Sequence, residues 1–141
     1  MALRFSTTLR NNRLDQITTQ VSTQAGSAGK LIIYDGTAPA NLTDSVAGTQ
    51  VLATFTMSHP FAVPASGGGL TVTAPADVTA IKTAAGAGAS FFRITKSDNT
   101  VVIQGTVTDV NGSGDLKLNS VAIQSGATVS ITSFTITEGN A

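Results

Sequence analysis

The chain has 141 residues, of which 41% are hydrophobic, 11% charged and 5% aromatic, with 14 glycines, one histidine and no cysteine. Eight basic and eight acidic side chains cancel, which removes the broad one-signed field that a nucleic acid or an anionic membrane would need. Without cysteine there are neither disulfides nor thiolate metal sites, and this length fits a single domain, 1–141, whose core needs no covalent staple.

The opening 14 residues hold Arg4, Arg10 and Arg13 and lack the apolar run of a secretory signal. Nor does any stretch approach the ~18 apolar residues of a membrane span. The sequence therefore reads as a product made in the cytoplasm. A mean hydropathy of +0.22 with so few charges means that Ser, Thr, Ala and Gly cover much of the surface, a composition suited to life inside an assembly.

Residues 1–25 form a helical segment, polar and free of Gly and Pro until Gly26. Ser6 or Thr7 caps a helix expected over 7–24, and Gly26 stops it. Leu14, Ile17 and Val21 recur at i, i+3 and i+7 and so share one stripe. Arg10 falls on the same stripe. Either its aliphatic stem packs while the guanidinium reaches water, or it is a bidentate partner for a carboxylate across a subunit contact. Arg4, Arg10 and Arg13 make the basic cluster of the chain, and with Leu14, Ile17 and Val21 they are the candidate partner-contact residues.

From residue 30 to 137 short runs of Val, Ile, Thr and Phe alternate with Gly, Pro, Asn, Asp and Ser, the signature of strands and turns. Residues 30–35 form the first strand. In 50–57, Val51, Ala53, Phe55 and Met57 face one way and Thr54 and Thr56 the other. His59-Pro60 ends that strand, 67–69 is a flexible Gly connection, and Leu70, Val72 and Ala74 share one face of the next. Residues 83–89 are small only and read as a loop that orders on contact.

Residues 90–96 and 100–108 flank the polar turn Ser97-Asp98-Asn99, a hairpin. Strands are expected at 115–118, 121–123 and 128–137. In the last, Val129 and Ile131 have one parity and Phe134 and Ile136 the other, so the face changes near Ser133 through a bulge or a crossing between sheets. Eight or nine short strands without recurring helices predict a mainly β, antiparallel β-sandwich or barrel behind one N-terminal helix.

Few residues suggest chemistry. His59 precedes Pro60 with no nucleophile or carboxylate near it in sequence and no nucleophile elbow in the chain, so a turn histidine is expected and not an enzyme. Residues 109–115 resemble half of a calcium loop, with Asp109, Asn111, Ser113 and Asp115 at alternate positions and Gly112 at the sixth. The bidentate carboxylate of the twelfth position is replaced by Ser120. The expected role is a polar connection whose Asn and Gly tolerate positive φ. The Gly-rich stretches 67–69 and 84–89 lack phosphate-loop spacing and open onto no helix. No cofactor or metal is expected.

Several blocks together resemble a known group. They are Thr7-Thr8-Leu9-Arg10-Asn11, Gly29-Lys30-Leu31-Ile32-Ile33-Tyr34-Asp35-Gly36-Thr37-Ala38-Pro39-Ala40, Phe91-Phe92-Arg93-Ile94-Thr95, Val101 to Val107, and the ending 126–137. In this order they are similar to the capsid cement, or decoration, proteins of tailed bacteriophages. The resemblance implies a jelly-roll-like sandwich bound outside an HK97-type icosahedral shell as a homodimer, with the phage major capsid protein as partner. It also implies a virion location, stabilisation by bridging neighbouring capsid subunits, and no nucleic-acid or membrane partner. The alternatives are a carbohydrate-binding module of a phage fibre or surface protein and, third, a hydrolase using His59.

Overall fold

The structure, a computed structural model, describes residues 3–22 and 28–138. Helix α1 spans Thr7–Val21. Of the two expected caps Ser6 is the one used: its backbone is extended and its Oγ accepts from the Leu9 N–H at 3.2 Å, satisfying one orphan donor. Ser22 follows the helix and donates its N–H to Thr18 O. The rest of the expected helix, 23–24, and its stop at Gly26 lie outside the described residues. Leu14 and Val21 are buried and Ile17 is half-buried, so the predicted stripe does face the core. Each fully buried side chain of this kind contributes roughly 1.5–3 kcal/mol.

Nine strands follow: β1 Lys30–Asp35, β2 Val51–Thr56, β3 Gly69–Thr71, β4 Val78–Thr79, β5 Ala89–Thr95, β6 Val101–Asp109, β7 Leu116–Leu118, β8 Thr128–Val129 and β9 Ile131–Thr137. Seven form one sheet in the order β2-β1-β5-β6-β7-β9-β3, and β4 pairs with β8. The Ile81 N–H donates to Leu52 O, which ties the β4–β8 pair to the free edge of β2. The result is a mainly β sandwich with one helix, as the residue pattern predicts. Its core gathers Leu31, Ile33, Phe55, Phe92, Ile94, Leu116, Leu118 and Phe134, with Leu14 and Val21 from the helix.

Several local expectations need correction. Leu52 is buried beside Ala53, because the register between β1 and β2 jumps from Ile33↔Ala53 to Tyr34↔Val51 and the bulged Leu52 turns inward. Ala74 is exposed: β3 stops at Thr71, and beyond it Val72 makes one isolated bridge to Ala62. Residues 121–123 are not a strand, since the Val121 carbonyl is taken by the N–H groups of Ala89 and Ile123. β4 was not expected at all; two residues are too few to show alternation.

The last expected strand is divided at Ser130. Its first part, β8, pairs with β4, while β9 joins the large sheet, and opposite β7 the register skips Thr132. Both a crossing between sheets and a bulge therefore occur, and Val129 and Phe134 are buried despite opposite parity.

One pair, β6 with β7, is parallel. Parallel neighbours ordinarily need a long crossover. Here Val107 is level with Leu116, so the chain steps back only a short way before running forward again. That tight curl requires Gly112 and Gly114: a Cβ on them would stand 2.4 and 2.8 Å from the Thr108 side chain. Neither these glycines nor Asn111 has positive φ, so close approach, not the left-handed conformation expected from sequence, is their reason.

Candidate functional site

The sequence-predicted contact residues lie where α1 meets the segment 61–68 and the end of β9. Arg10 Nε donates to Glu138 O at 3.0 Å and Nη2 to Gly67 O at 3.3 Å. Asn11 Oδ1 accepts from Gly68 N–H, Asp15 Oδ1 from Ala65 N–H and Ser22 Oγ from Phe61 N–H. Arg13 pairs with the Glu138 carboxylate and lies over the Phe5 ring at 5.1 Å. Arg4 is exposed.

The helix is thus clamped by polar side chains on one flank and by Leu14 and Val21 beneath. Arg10 corresponds to neither reading of its place on the stripe, since its guanidinium serves carbonyls of its own chain. The large apolar residues exposed here, among the described residues, are Leu3, Leu9 and Val63.

A second polar knot was not anticipated. Arg93 points away from the core, yet only 5% of its surface is exposed. The loop 36–50 folds over it. Arg93 donates to Gln104 Oε1 at 2.8 Å, Asp44 O at 3.0 Å and Asn41 O at 3.3 Å, while Gln104 Nε2 donates to Pro39 O at 2.8 Å. Beside the knot Tyr34 stacks on Phe91, ring centroids 4.9 Å apart. Burial pushes the Tyr34 hydroxyl pKa up, with the Arg93 charge opposing.

The motif blocks of the sequence therefore meet: Tyr34 and Pro39 from one, Phe91 and Arg93 from another, Gln104 from a third. An arginine within Phe91-Phe92-Arg93-Ile94 was the available signal, because a charge on a strand of this burial must have fixed partners.

A third anchor is Asp35, 2% exposed at the end of β1. Its Oδ1 accepts from Gln50 N–H at 2.7 Å, and its Oδ2 accepts from Gln50 Nε2 at 3.1 Å and Ala85 N–H at 3.0 Å. Burial alone would raise its pKa, but the Ala85 and Gln50 donors outweigh it and hold the carboxyl below its ordinary value. Together with bonds from Ala84 N–H to Ile123 O and Ala89 N–H to Val121 O, this orders the loop 83–89 inside the chain. The expectation that it awaits a partner is corrected accordingly.

The half calcium loop is also occupied internally. Asp109 Oδ1 accepts from Asn111 N–H, and Asp115 Oδ2 accepts from both N–H and Oγ1 of Thr106, which hold the Asp115 pKa down. Lys117 Nζ donates to Gly112 O at 2.5 Å and to Val110 O at 3.5 Å, so an ammonium serves carbonyls that a cation would want. Among the described residues no three His, Asp or Glu side chains converge. Lys117→Met is expected to cost about 1 kcal/mol. Urea denaturation would measure it, and millimolar calcium should leave the midpoint of the unmodified protein unchanged.

Three loops leave the same end of the sandwich: 36–50, the segment from β4 to β5, and 110–115. Each exposes one large apolar side chain, Leu42 at 41%, Ile81 at 60% and Val110 at 52%. Between them run shallow grooves of about 560 and 350 Å³, floored by Ala85 to Ser90 and by residues 106–109 and 112–114. His59 is exposed at the other end, joined to Pro60 by a cis peptide.

Of the seven aromatic rings, Tyr34, Phe55, Phe61, Phe91, Phe92 and Phe134 are buried, and Phe5 lies under Arg13. No helix of the described residues is long and apolar enough to cross a membrane. Compared with protein-family models, curated proteins and solved structures, the chain matches none of them.

Proposed function

We propose that this chain is a non-enzymatic structural component of a phage virion, a cement protein that binds the outside of an icosahedral shell as a homodimer and bridges neighbouring capsid subunits. The observation that carries the reading is that Leu42, Ile81 and Val110 are exposed on the three loops that leave one end of the sandwich. These three apolar contacts stand on loops already held by Arg93, Asp35 and Lys117, within a surface of small uncharged residues. Pre-ordered contacts of this kind pay little ordering entropy on binding. A ligand that binds only the assembled shell adds its binding free energy to that state, so many symmetric weak sites suffice. The resemblance of the sequence blocks supplies the partner. A carbohydrate-binding module, the alternative, commonly stacks sugars on exposed rings, and here six of seven are buried.

The test is reconstitution. Virions stripped with mild denaturant and re-incubated with recombinant protein should rebind it and release their genome at a higher temperature. Ile81→Asp and Val110→Asp are exposed substitutions expected to change stability by no more than about 0.5 kcal/mol. Both should nonetheless weaken rebinding. Absence of rebinding by the unmodified protein sinks the proposal.

A further inference from the structure

The nine-residue β6 pairs with β5 from Val101 to Thr106, but on its other side β7 covers only Val107 to Asp109. β7 likewise reaches β9 only from Ile131 to Phe134. Beyond β7, between residues 101–105 of β6 and 135–137 of β9, no described segment pairs with either strand on the facing side. Two strands separated by one missing neighbour stand about 9.5 Å apart, twice the usual spacing. A groove of about 280 Å³ lies there, lined by Ile103, Gly105 and Phe92 on one wall, Phe134 and Ile136 on the other, and Ile17 of the helix.

The backbone is aimed correctly for a strand. Thr106 sends its N–H to Asp115, on the β7 side of β6. Alternate residues direct their groups to opposite neighbours, so Gln104 faces the gap as well, and the alternation stops at Val102, where the register with β5 shifts. On β9, Phe134 O accepts from Val72 N–H and Glu138 N–H donates to Gly68 O, both toward β3, which leaves Thr137 facing the gap. Burial agrees: residues 101–105 are all intermediate, whereas β5 is buried at all but one position.

The gap also has a polarity of charge. Its closed end is the Asp115 carboxylate, kept ionised by the Thr106 donors and ion-paired with no cation among the described residues. A Cβ on Gly105 would stand 2.7 Å from the Phe92 ring, so the glycine keeps that wall low.

We propose that this gap is the receptor for one extended peptide segment of a partner protein, alternating apolar and polar side chains and carrying a Lys or Arg beside Asp115. The segment completes the sheet between β6 and β9: its backbone pairs with Gln104 and Thr137, its apolar side chains enter over Ile103 and Ile136, and its cation meets the carboxylate. Under the shell-binding reading the capsid protein would supply the strand, but the gap and its chemistry stand without that reading.

The probe is acetyl-Lys-Val-Thr-Val-Thr-Val-amide, titrated into the full-length protein and followed by amide NMR, with the peptide carrying Glu in place of Lys as comparison. Saturable shifts are expected at Gln104, Gly105, Asp115 and Thr137, with the Lys peptide bound about fivefold more tightly. Asp115→Asn should abolish that preference. Thr137→Pro, which removes an N–H facing the gap and none facing β3, should weaken both peptides. Equal binding of the two peptides, or no saturable shift up to millimolar concentration, overturns the proposal. So do two results in the protein alone: protection of these amides from hydrogen exchange at high dilution, which would mean the chain's own residues fill the gap, or protection that grows with concentration, which would mean a second copy does. These measurements use no virion, so their failure leaves shell rebinding to be judged on its own.

Discussion

Replacing Arg93 with Met is expected to lower the thermal unfolding midpoint by roughly 10 °C, the consequence of losing about 3 kcal/mol in a domain of this size. Met keeps the aliphatic packing of the stem and removes only the guanidinium. Three acceptors then lose their donor: Gln104 Oε1, Asp44 O and Asn41 O. Hydrogen bonds from a charged group contribute about 1.5–3 kcal/mol each, but the loop 36–50 can swing out and hydrate its carbonyls, so the net loss is less than their sum. Arg93→Lys should recover little, because one ammonium cannot reproduce a planar fork whose three N–H groups point at three separate acceptors. Limited proteolysis locates the effect: in Arg93→Met cleavage should concentrate in 36–50, where the released loop uncovers the Tyr34–Phe91 stack. A midpoint within about 2 °C of the unmodified protein would show that the knot does not hold the loop.

That knot also marks the limit of what the sequence discloses. Periodicity finds α1 with its Ser6 cap, the alternation of β2 from Ala53 onward and the hairpin at Asn99, because those depend on residues close in the chain. It finds the parity change between Val129 and Phe134 and leaves open how the chain makes it; the structure uses both a break at Ser130 and a bulge at Thr132. It fails where partners are distant. Arg93 reaches 49 residues to Asp44, and Asp35 reaches 50 to Ala85, separations at which one sequence offers no geometric signal. The parallel β6–β7 pair escapes for a different reason: the sequence shows only a polar connection at 109–115, and only the packing of Gly112 and Gly114 on Thr108 reveals a curl. Arg10 shows a third limit. The stripe places it on the inward face correctly, but whether its guanidinium meets water, a neighbour or its own chain depends on where 67 and 138 fold.

Asp35→Asn is expected to cost about 2–3 kcal/mol and to change the acid limb of the stability curve. The carboxylate accepts three N–H groups, one on Oδ1 and two on Oδ2. An amide of the same shape has a single acceptor oxygen, so its NH2 must face an N–H donor whichever way it is turned, and one side of the network becomes repulsive. The consequence is release of residues 83–88 and of the turn at Gln50 that leads into β2. The pH dependence follows from the direction of the shift. Because the folded carboxyl titrates below its ordinary value, the unfolded chain takes up the proton first as pH falls. The stability from Asp35 is therefore present in full above the unfolded carboxylate range of about 4 and is lost as pH drops from there through the lower folded value. Urea midpoints measured between pH 7 and pH 2 should fall steeply below pH 4 in the unmodified protein. In Asp35→Asn they should start lower and fall less, though not stay flat, since Asp115 is shifted the same way by Thr106. Parallel curves for the two proteins would mean that the Asp35 carboxylate is not what joins the Ala-Gly loop to the sheet.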